Sequence, residues 1–357
     1  MTNLKIAIKE IFLILGISMI ILIPIIIYKV TSHNEQIDHI PQISISNDGV
    51  PIEDYHLRIA INDALEQEEF ATITKEQALS ITSLDASSYH ISSLDGIQYL
   101  KNLKELDLSA NELHTFHQMK SLEQLTNLEY LSLAQNHINT LNEMIVLPNL
   151  KELDLSENEL YTLNGMSSFS DLQILDLSYN KISSLHDITD ISKLSNLQSL
   201  SLLQNNIKNL KGMKYLKKCH NLVELDLSVN NINSLKGIDT LPNLQSLDLS
   251  WNYIKSLEQL VPFPKLETLN LMENKLKSLD SIEILSNIKT LNIIRNNIHT
   301  LEQLKSLEQL SLIYISEELS DNKILKQLSF NDIAWKQDND YSFYNAHLLE
   351  RQPKKNK

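Results

Sequence analysis

Apolar and polar positions alternate along most of the chain in a pattern of nearly constant length. The pattern is L-x-x-L-x-L-x-x-N-x-[IL]-x-x-[LF], and it recurs at intervals of 22 or 25 residues. Its L-x-L part predicts a short strand whose alternate side chains are buried, and stacking such strands predicts an α/β solenoid with a parallel sheet along its concave face. The asparagines that mark the repeats are Asn111, Asn136, Asn158, Asn180, Asn205, Asn230, Asn252, Asn274 and Asn296.

Each of these asparagines follows its strand directly and is predicted to turn inward. There its amide can bond backbone N–H and C=O groups that the bend leaves unpaired, as a buried turn requires. We therefore interpret the asparagines as structural residues and not as parts of a binding site.

The 25-residue repeats gain three residues on the predicted convex side, after Met119, Ile188 and Met213. Leu125 and Leu194 keep the apolar spacing in two of these insertions, and Cys219 takes the same place in the third. Cys219 is therefore predicted to be a small core residue. Because the sequence holds a single cysteine, an intramolecular disulfide and a cysteine-rich metal site are excluded.

The repeats are predicted to span residues 81–315, with irregular first and last members. Tyr89 stands where the first asparagine would be. In the last repeat, Leu310 and Leu312 are predicted core residues, and Ile315 stands at the asparagine position.

Both ends of the array need covering, because a terminal repeat has a neighbour on one side only. Helical apolar spacing from about Asp54 to Glu69, and Thr74 with Gln77 in capping-box position, predict a helical N-terminal cap over residues 54–80. Residues 316–345, which include Trp335, are predicted to form a C-terminal cap. Residues 346–357 are predicted to be a solvated tail.

Residues 11–28 form an uncharged apolar run, which predicts one transmembrane helix acting as a signal-anchor. Lys5 and Lys9 precede the run and Lys29 follows it, which favours a short cytoplasmic N-terminus at 1–10 and an extracytoplasmic domain. The polar segment 29–53 is predicted to be a linker. The alternatives are a cleaved secretory signal, for which Val30 and Ser32 are a poor match, and a buried core helix.

The segment around ITKEQAL and SLDAS resembles the helical cap that precedes the repeats of internalin-like bacterial proteins. From about residue 54 to 335, the pattern resembles the leucine-rich repeats of the internalin family. In its 22-residue period it is also similar to the repeat class of eukaryotic phosphatase-regulating proteins. These resemblances imply that the concave face binds a partner protein.

The outward positions of each strand form rows along the predicted concave face. The row between the last two leucines is acidic in its middle, although such an aspartate can also serve only to accept neighbouring hydrogen bonds. The residue before each asparagine varies and includes large aromatics, whose alternative role is packing against exposed neighbours. Leu203, Met272, Ile294 and Ile313 are predicted to make the C-terminal half apolar. The candidate partner-binding residues are Tyr130, Glu157, Asp176, Tyr179, Asp226, Asp248, Trp251, Arg295 and Tyr314.

The net charge of the chain and the lack of catalytic or metal-binding motifs in its sequence argue against several classes of function. A formal net charge of −14 argues against nucleic-acid binding, which needs a basic surface, and favours basic or neutral partners. No phosphate-binding glycine loop, Ser-His-Asp signature or zinc spacing occurs, so we predict no catalytic residue, metal or cofactor and no enzyme activity. His114 and His117 lack a third ligand and are interpreted as a solvated pair.

Three functions agree with these observations. The first is a single-pass protein of the cell membrane, anchored through residues 11–28, whose extracytoplasmic repeats bind a protein. The second is a structural or envelope-associated spacer that binds cell-wall polymer or itself. The third, suggested only by the repeat class, is an intracellular regulator of a phosphatase or another enzyme.

Overall fold

The computed structural model describes residues 48–141, 145–166, 169–319, 323–328 and 334–337. In this part of the chain no helix is long and apolar enough to cross a membrane. The predicted anchor at 11–28 lies outside the described residues, as do the predicted N-terminus at 1–10 and tail at 346–357.

In the described ranges, twelve parallel strands form a single sheet, and their order along the sheet is the order along the chain. Neighbouring strands pair in register, with leucine beside leucine, as Leu153 pairs with Leu131 and Leu175. The strands are Ser83–Asp85 (β1), Glu105–Asp107 (β2), Tyr130–Ser132 (β3), Glu152–Asp154 (β4), Ile174–Asp176 (β5), Ser199–Ser201 (β6), Glu224–Asp226 (β7), Ser246–Asp248 (β8), Thr268–Asn270 (β9), Thr290–Asn292 (β10), Leu312–Ile315 (β11) and Ala334–Gln337 (β12).

Short 3-10 helices return the chain on the other side of the core from the sheet. Their inward residues and the strand leucines belong to one continuous apolar core, which runs through the stacked repeats. Cys219 is buried in it, and its thiol donates to the Ile191 carbonyl. The 3-10 helices that lie wholly within the described ranges are Ile97–Tyr99, Phe116–Gln124, Thr189–Lys193, Met213–Lys218, Ile282–Ile284, Glu302–Ser306 and Glu317–Leu319.

A ladder of buried asparagines joins the turns after the strands. In each step the side-chain amide donates to three carbonyls, one of them in the preceding repeat, while its oxygen accepts a backbone N–H of the preceding repeat. Asn158, for example, donates to the Leu133 carbonyl at 2.8 Å and accepts from the Ile138 N–H at 2.9 Å. The predicted structural role of the asparagines is confirmed.

Within residues 48–82, which the structure describes, two α-helices precede β1, at Tyr55–Ala64 (α1) and Lys75–Ser80 (α2). The predicted capping box of Thr74 and Gln77 forms at the start of α2. α1 ends at Ala64, earlier than the predicted end at Glu69. The buried Asn62 side chain donates to the carbonyls of Glu69 and Ala71, and these bonds hold the chain in a turn after the helix. Leu57 of α1 belongs to the core of the repeats. The assignment of 54–80 as a cap stays a prediction.

The last repeat has a different register from the predicted one. β11 pairs Leu291 with Ile313 and Asn292 with Tyr314, so Ile313 and Ile315 are core residues. The placement of Ile315 at the asparagine position is therefore wrong, and so is that of Ile313 on the exposed face. The sequence Leu310-x-Leu312-Ile313-x-Ile315 offers two registers three residues apart, and alignment with β10 selects the second. Beyond it lie a third helix, Lys323–Leu328 (α3), and β12.

Candidate binding surface on the sheet

The outward side chains of the strands and of the turns that follow them form one surface, which we call the sheet face. Three rows matter for binding. The strand-start row is Glu105, Tyr130, Glu152, Ile174, Ser199, Glu224, Ser246, Thr268, Thr290 and Leu312; the strand-end row is Asp107, Ser132, Asp154, Asp176, Ser201, Asp226, Asp248, Asn270, Asn292 and Tyr314. The turn row is Ala110, Gln135, Glu157, Tyr179, Gln204, Val229, Trp251, Glu273 and Arg295.

The aspartates of the strand-end row are hydrogen-bonded to the turns that follow them. Asp176 accepts from the backbone N–H of Ser178 at 2.8 Å and from its hydroxyl at 2.6 Å. Asn292 makes the same backbone contact to Ile294 at 3.1 Å. The local hydrogen-bonding role considered for these aspartates is therefore present, and an amide can fill it. A carboxylate adds a negative charge that this role does not require.

Those charges lie close enough to perturb one another. Burial, followed by repulsion from Asp176, raises the pKa of Asp154. Burial, with added repulsion from Asp226, raises the pKa of Asp248 to about 7, although hydrogen bonds from Ser250 and Asn270 oppose the shift. In the middle of the sheet face the charged form of these carboxylates is therefore destabilised, and a nearby positive charge would stabilise it.

We expect the repeats to become more stable on acidification from pH 8 to pH 5. Because the folded-state pKa of Asp248 is raised, its contribution is fully present below its usual pKa of 3.8 and is lost as the pH rises through about 7. Asp248→Asn should reduce this pH dependence by about 1 kcal/mol or more, measured as the free energy of unfolding in urea. Asn270→Asp, which places a carboxylate next to Asp248, should steepen it. The same pH dependence in the wild type and in Asp248→Asn would contradict the expectation.

The turn row has an unusual backbone. All nine residues have left-handed φ angles, between 50° and 56°, although none is glycine. Each backbone N–H of the first eight is paired with the next strand's turn, as the Tyr179 N–H donates to the Leu203 carbonyl at 2.8 Å. These bonds hold the main chain through backbone atoms only. They do not require a particular side chain at these positions, so the residue type in this row can vary.

Tyr179 stands among carboxylates at the centre of the sheet face. Its side chain is 40% exposed, and burial together with Glu157, Asp176 and Asp226 raises the pKa of its hydroxyl. Glu157 also accepts from the amide of Gln135 at 3.0 Å. The structure thus brings together four of the residues that the sequence proposed for partner binding.

Side chains of β3 and β5 add apolar surface to this centre. Tyr130 of β3 is half-buried, and the pKa of its hydroxyl is raised by burial and by Asp107 and Asp154. Ile174 of β5 is 41% exposed in the same row. Ile174 is not among the residues predicted from the sequence, although its apolar side chain differs from most other members of the strand-start row, which are Glu, Ser or Thr.

The remaining candidate residues lie further along the sheet face. Trp251 is half-buried in the turn row, and Tyr253 just beyond it is exposed, with the Lys275 ammonium 4.7 Å from its ring centroid. Arg295 forms an ion pair with Glu273, with Nη1 2.7 Å from Oε1. The predicted arginine therefore has a partner in the adjacent repeat.

Tyr314 does not lie where the sequence analysis put it. It belongs to the strand-end row beside Asn292, and it is only 4% exposed in an apolar cluster with Met272 and Ile294. Its prediction as an exposed aromatic anchor is therefore wrong, because the shift of the last repeat moves it from the turn to the strand. The predicted apolar character of this end of the face is partly present, in a cluster that Leu312 borders.

No alternative chemical site emerges from the described ranges. The ring of His114 stacks on His137 of the next repeat, with centroids 5.0 Å apart. Among the residues that the structure describes, no group of three His, Cys, Asp or Glu side chains could hold a metal ion. Burial raises the pKa of the Cys219 thiol to about 12, which suppresses its reactivity.

Comparison with known proteins identifies the repeats. Family models described as leucine-rich repeats match residues 101–160, 149–172, 171–194 and 240–256. A search of the curated proteins gives no significant match.

Several solved structures are similar to this chain. An internalin (inlF) from Listeria monocytogenes has a TM-score of 0.61 at 25% identity, over 79% of this chain and 88% of that one. A leucine-rich repeat protein of Leptospira interrogans has a TM-score of 0.55 at 26% identity, over 73% and 74%. The functional domain of InlJ from L. monocytogenes, which includes a cysteine ladder, has a TM-score of 0.57 at 24% identity, over 80% and 59%.

The chain therefore contains leucine-rich repeats, and its fold is similar to that of Listeria internalins. Folds of this type are typically non-enzymatic scaffolds for protein interaction. The helical cap, the membrane anchor and the 22-residue repeat class stay predictions.

Proposed function

We propose that this protein is a membrane-anchored binding module whose sheet face docks a partner protein. The observation that carries the proposal is the centre of that face, where the exposed side chains of Ile174 and Tyr179 are combined with carboxylates of several repeats. Exposed aromatics near the middle of an interface are typical anchors of binding energy.

The electrostatics of this centre favour a partner with a basic side chain. A lysine or arginine that reached Tyr179 would lie near Glu157, Asp176 and Asp226 and against an aromatic ring. The ring offers a cation–π contact, and the carboxylates offer charge-assisted hydrogen bonds. Docking would also relieve the repulsion within the strand-end row. Tyr130 and Trp251 would extend the contact on either side.

The location belongs to the same proposal. A single pass through the cell membrane at 11–28, with the repeats outside the cytoplasm, agrees with the lysines that flank the apolar run. The predicted linker of 29–53 would then lead from the membrane to the repeats, although its last residues already pack on them, with Val50 and Ile52 buried in the core.

Photo-crosslinking in the native cell tests the proposal. A reactive amino acid at Tyr179 should trap one protein, whereas the same residue at His137, on a repeat loop, should not. In the background of Trp251→Ala, the yield from position 179 should fall at least tenfold, because loss of an aromatic anchor from an interface typically costs about 2 kcal/mol or more.

Tyr161→Ala is the matched control, because Tyr161 is an aromatic that is 58% exposed but lies off the sheet face. It should leave the crosslinking yield unchanged. Identical products from positions 179 and 137 would overturn the binding proposal. Self-crosslinks alone would favour the structural spacer, and a cytoplasmic enzyme as the product would favour the intracellular regulator.

A further inference from the structure

A second charged surface lies on the other side of the repeats. Residues 191–223 contain no Asp or Glu and six lysines, in a chain whose net charge is −14. Four of these lysines, all exposed, follow one another at spacings of three or four residues, and we call them the lysine patch: Lys208, Lys211, Lys214 and Lys218.

The patch faces away from the sheet. Met213 and Leu216 of the 3-10 helix Met213–Lys218 are buried in the same core as Leu200 of β6. Since the strand and the 3-10 helix cover opposite sides of that core, Lys214 and Lys218 project from the side opposite the sheet face. A ligand on the patch and a partner on the sheet face would therefore not compete for space.

Nearby acidic residues do not neutralise the patch. Of the three aspartates beside it, Asp239 pairs with Lys217 at 2.7 Å and Asp190 pairs with Lys193 at 2.9 Å, while Asp187 accepts from the Ser183 hydroxyl at 3.2 Å. Within the described ranges, none of the four patch lysines forms an ion pair. An anionic ligand would therefore find four positive charges on this surface that no carboxylate of the protein neutralises by an ion pair.

Aromatic contacts order the surface between the lysines. The Lys214 ammonium lies 5.1 Å from the ring centroid of Tyr215, and His186 meets that ring edge-on at 5.8 Å. Nδ1 of His186 lies 3.0 Å from the Lys211 carbonyl oxygen. These contacts connect two adjacent repeats beneath the charges, so the patch has a defined base.

We infer that the lysine patch binds a linear polyanion that carries phosphate groups along its chain. None of the large exposed apolar side chains of the described residues falls within 191–223, so the patch lacks the anchor that a folded protein partner would use. Lysines bind phosphate as point charges, and a row of them fits a chain of phosphates. At physiological salt the Debye length is about 8 Å, so the negative charge elsewhere on the protein is largely screened at the patch.

Binding of long-chain inorganic polyphosphate to the purified full chain in detergent tests the inference. The variant is Lys211→Gln/Lys214→Gln/Lys218→Gln. Its affinity should fall at least tenfold at about 0.1 M salt, and the slope of log K against log salt should decrease by roughly 2, since each phosphate contact contributes about 0.7.

The matched control removes the same total charge elsewhere. Lys151, Lys181 and Lys289 are exposed and pair with Glu129, Glu159 and Glu267 of the preceding repeats. Their triple Gln variant should bind polyphosphate within twofold of the wild type. Thermal unfolding of both triple variants should match the wild type within a few degrees, because all six lysines are exposed.

Three outcomes would overturn the inference. They are absence of polyphosphate binding by the wild type, equal loss in the two triple variants, and equally tight binding of polyglutamate, which carries carboxylates instead of phosphates. No sheet-face partner takes part in this experiment, so its result is independent of the proposed function.

Discussion

Asn180→Ala is expected to lower the free energy of unfolding by about 3 kcal/mol or more. Asn180 donates to the carbonyls of Leu155, Leu177 and Ser178 at 2.9, 3.1 and 3.1 Å, and it accepts from the Leu160 N–H at 2.8 Å. Alanine would leave the Leu160 N–H without a partner inside the core. It would also remove one of the bonds to each carbonyl, although these still accept from Asn158, Asn205 and the Glu157 N–H. Each buried polar group that loses its hydrogen bond costs about 1–3 kcal/mol. Urea unfolding of the full chain measures the difference.

The control for this prediction is Asn206→Ala, in the repeat next to that of Asn180. The Asn206 side chain is exposed, so its loss should change stability by less than about 0.5 kcal/mol. Asn296, near the end of the ladder, is only partly buried, and Asn296→Ala should have an intermediate effect. A similar cost at positions 180 and 206 would show that the ladder does not stabilise the repeats.

Gly212→Ala is expected to destabilise the protein by about 2–4 kcal/mol, through the backbone rather than through a lost contact. Gly212 has a φ of 99°, and a Cβ there would lie 2.7 Å from the backbone carbonyl carbon of Leu185 and 2.8 Å from the backbone N of His186. Because these atoms belong to the adjacent repeat, they cannot rotate away as a side chain could. Thermal unfolding should show a decrease in Tm of several degrees.

Gly212→Ala would be unfavourable for two reasons, the left-handed backbone and the close approach of the adjacent repeat, and Ser281 allows them to be distinguished. It occupies the equivalent position before the 3-10 helix Ile282–Ile284 with a φ of 77°, so a side chain is tolerated there despite the left-handed backbone. Ser281→Gly should therefore stabilise the protein by no more than about 1 kcal/mol. If Gly212→Ala cost no more than this difference, close approach of the two repeats would not be the reason for glycine at 212.

The sequence predicted the parts of the fold that depend on local pattern. Leu153 and Leu155 alternate with polar residues, and this period of two defines a strand and its buried face before any contact is known. Asn158 at a fixed distance from that strand predicts the ladder, because an amide is needed where a buried turn leaves backbone groups unpaired. The burial of Cys219 follows from its register alone.

The candidate site was predicted less completely. The rows of the sheet face follow from the repeat register, so the proximity of Tyr179 to Asp176 and Asp226 was implied by their positions. The predicted binding residues are aromatic or charged, and the aliphatic Ile174, which lies in a mostly polar row, is therefore not among them. The ion pair of Arg295 with Glu273 depends on the contact between two turns, which no single repeat reveals.

The sequence by itself determined where the strands, the core leucines and the structural asparagines lie, because each is fixed by spacing within one repeat. Tertiary structure alone decided the register of the last repeat, and with it the burial of Tyr314. Leu312 and Ile313 are both apolar, so either could be buried. Only the pairing of β11 with β10 shows that Ile313 is the core residue. Tertiary structure also decided that Asp248 lies in an environment that disfavours its charge, since the burial of this carboxyl and its closeness to Asp226 arise only when β8 pairs with β7.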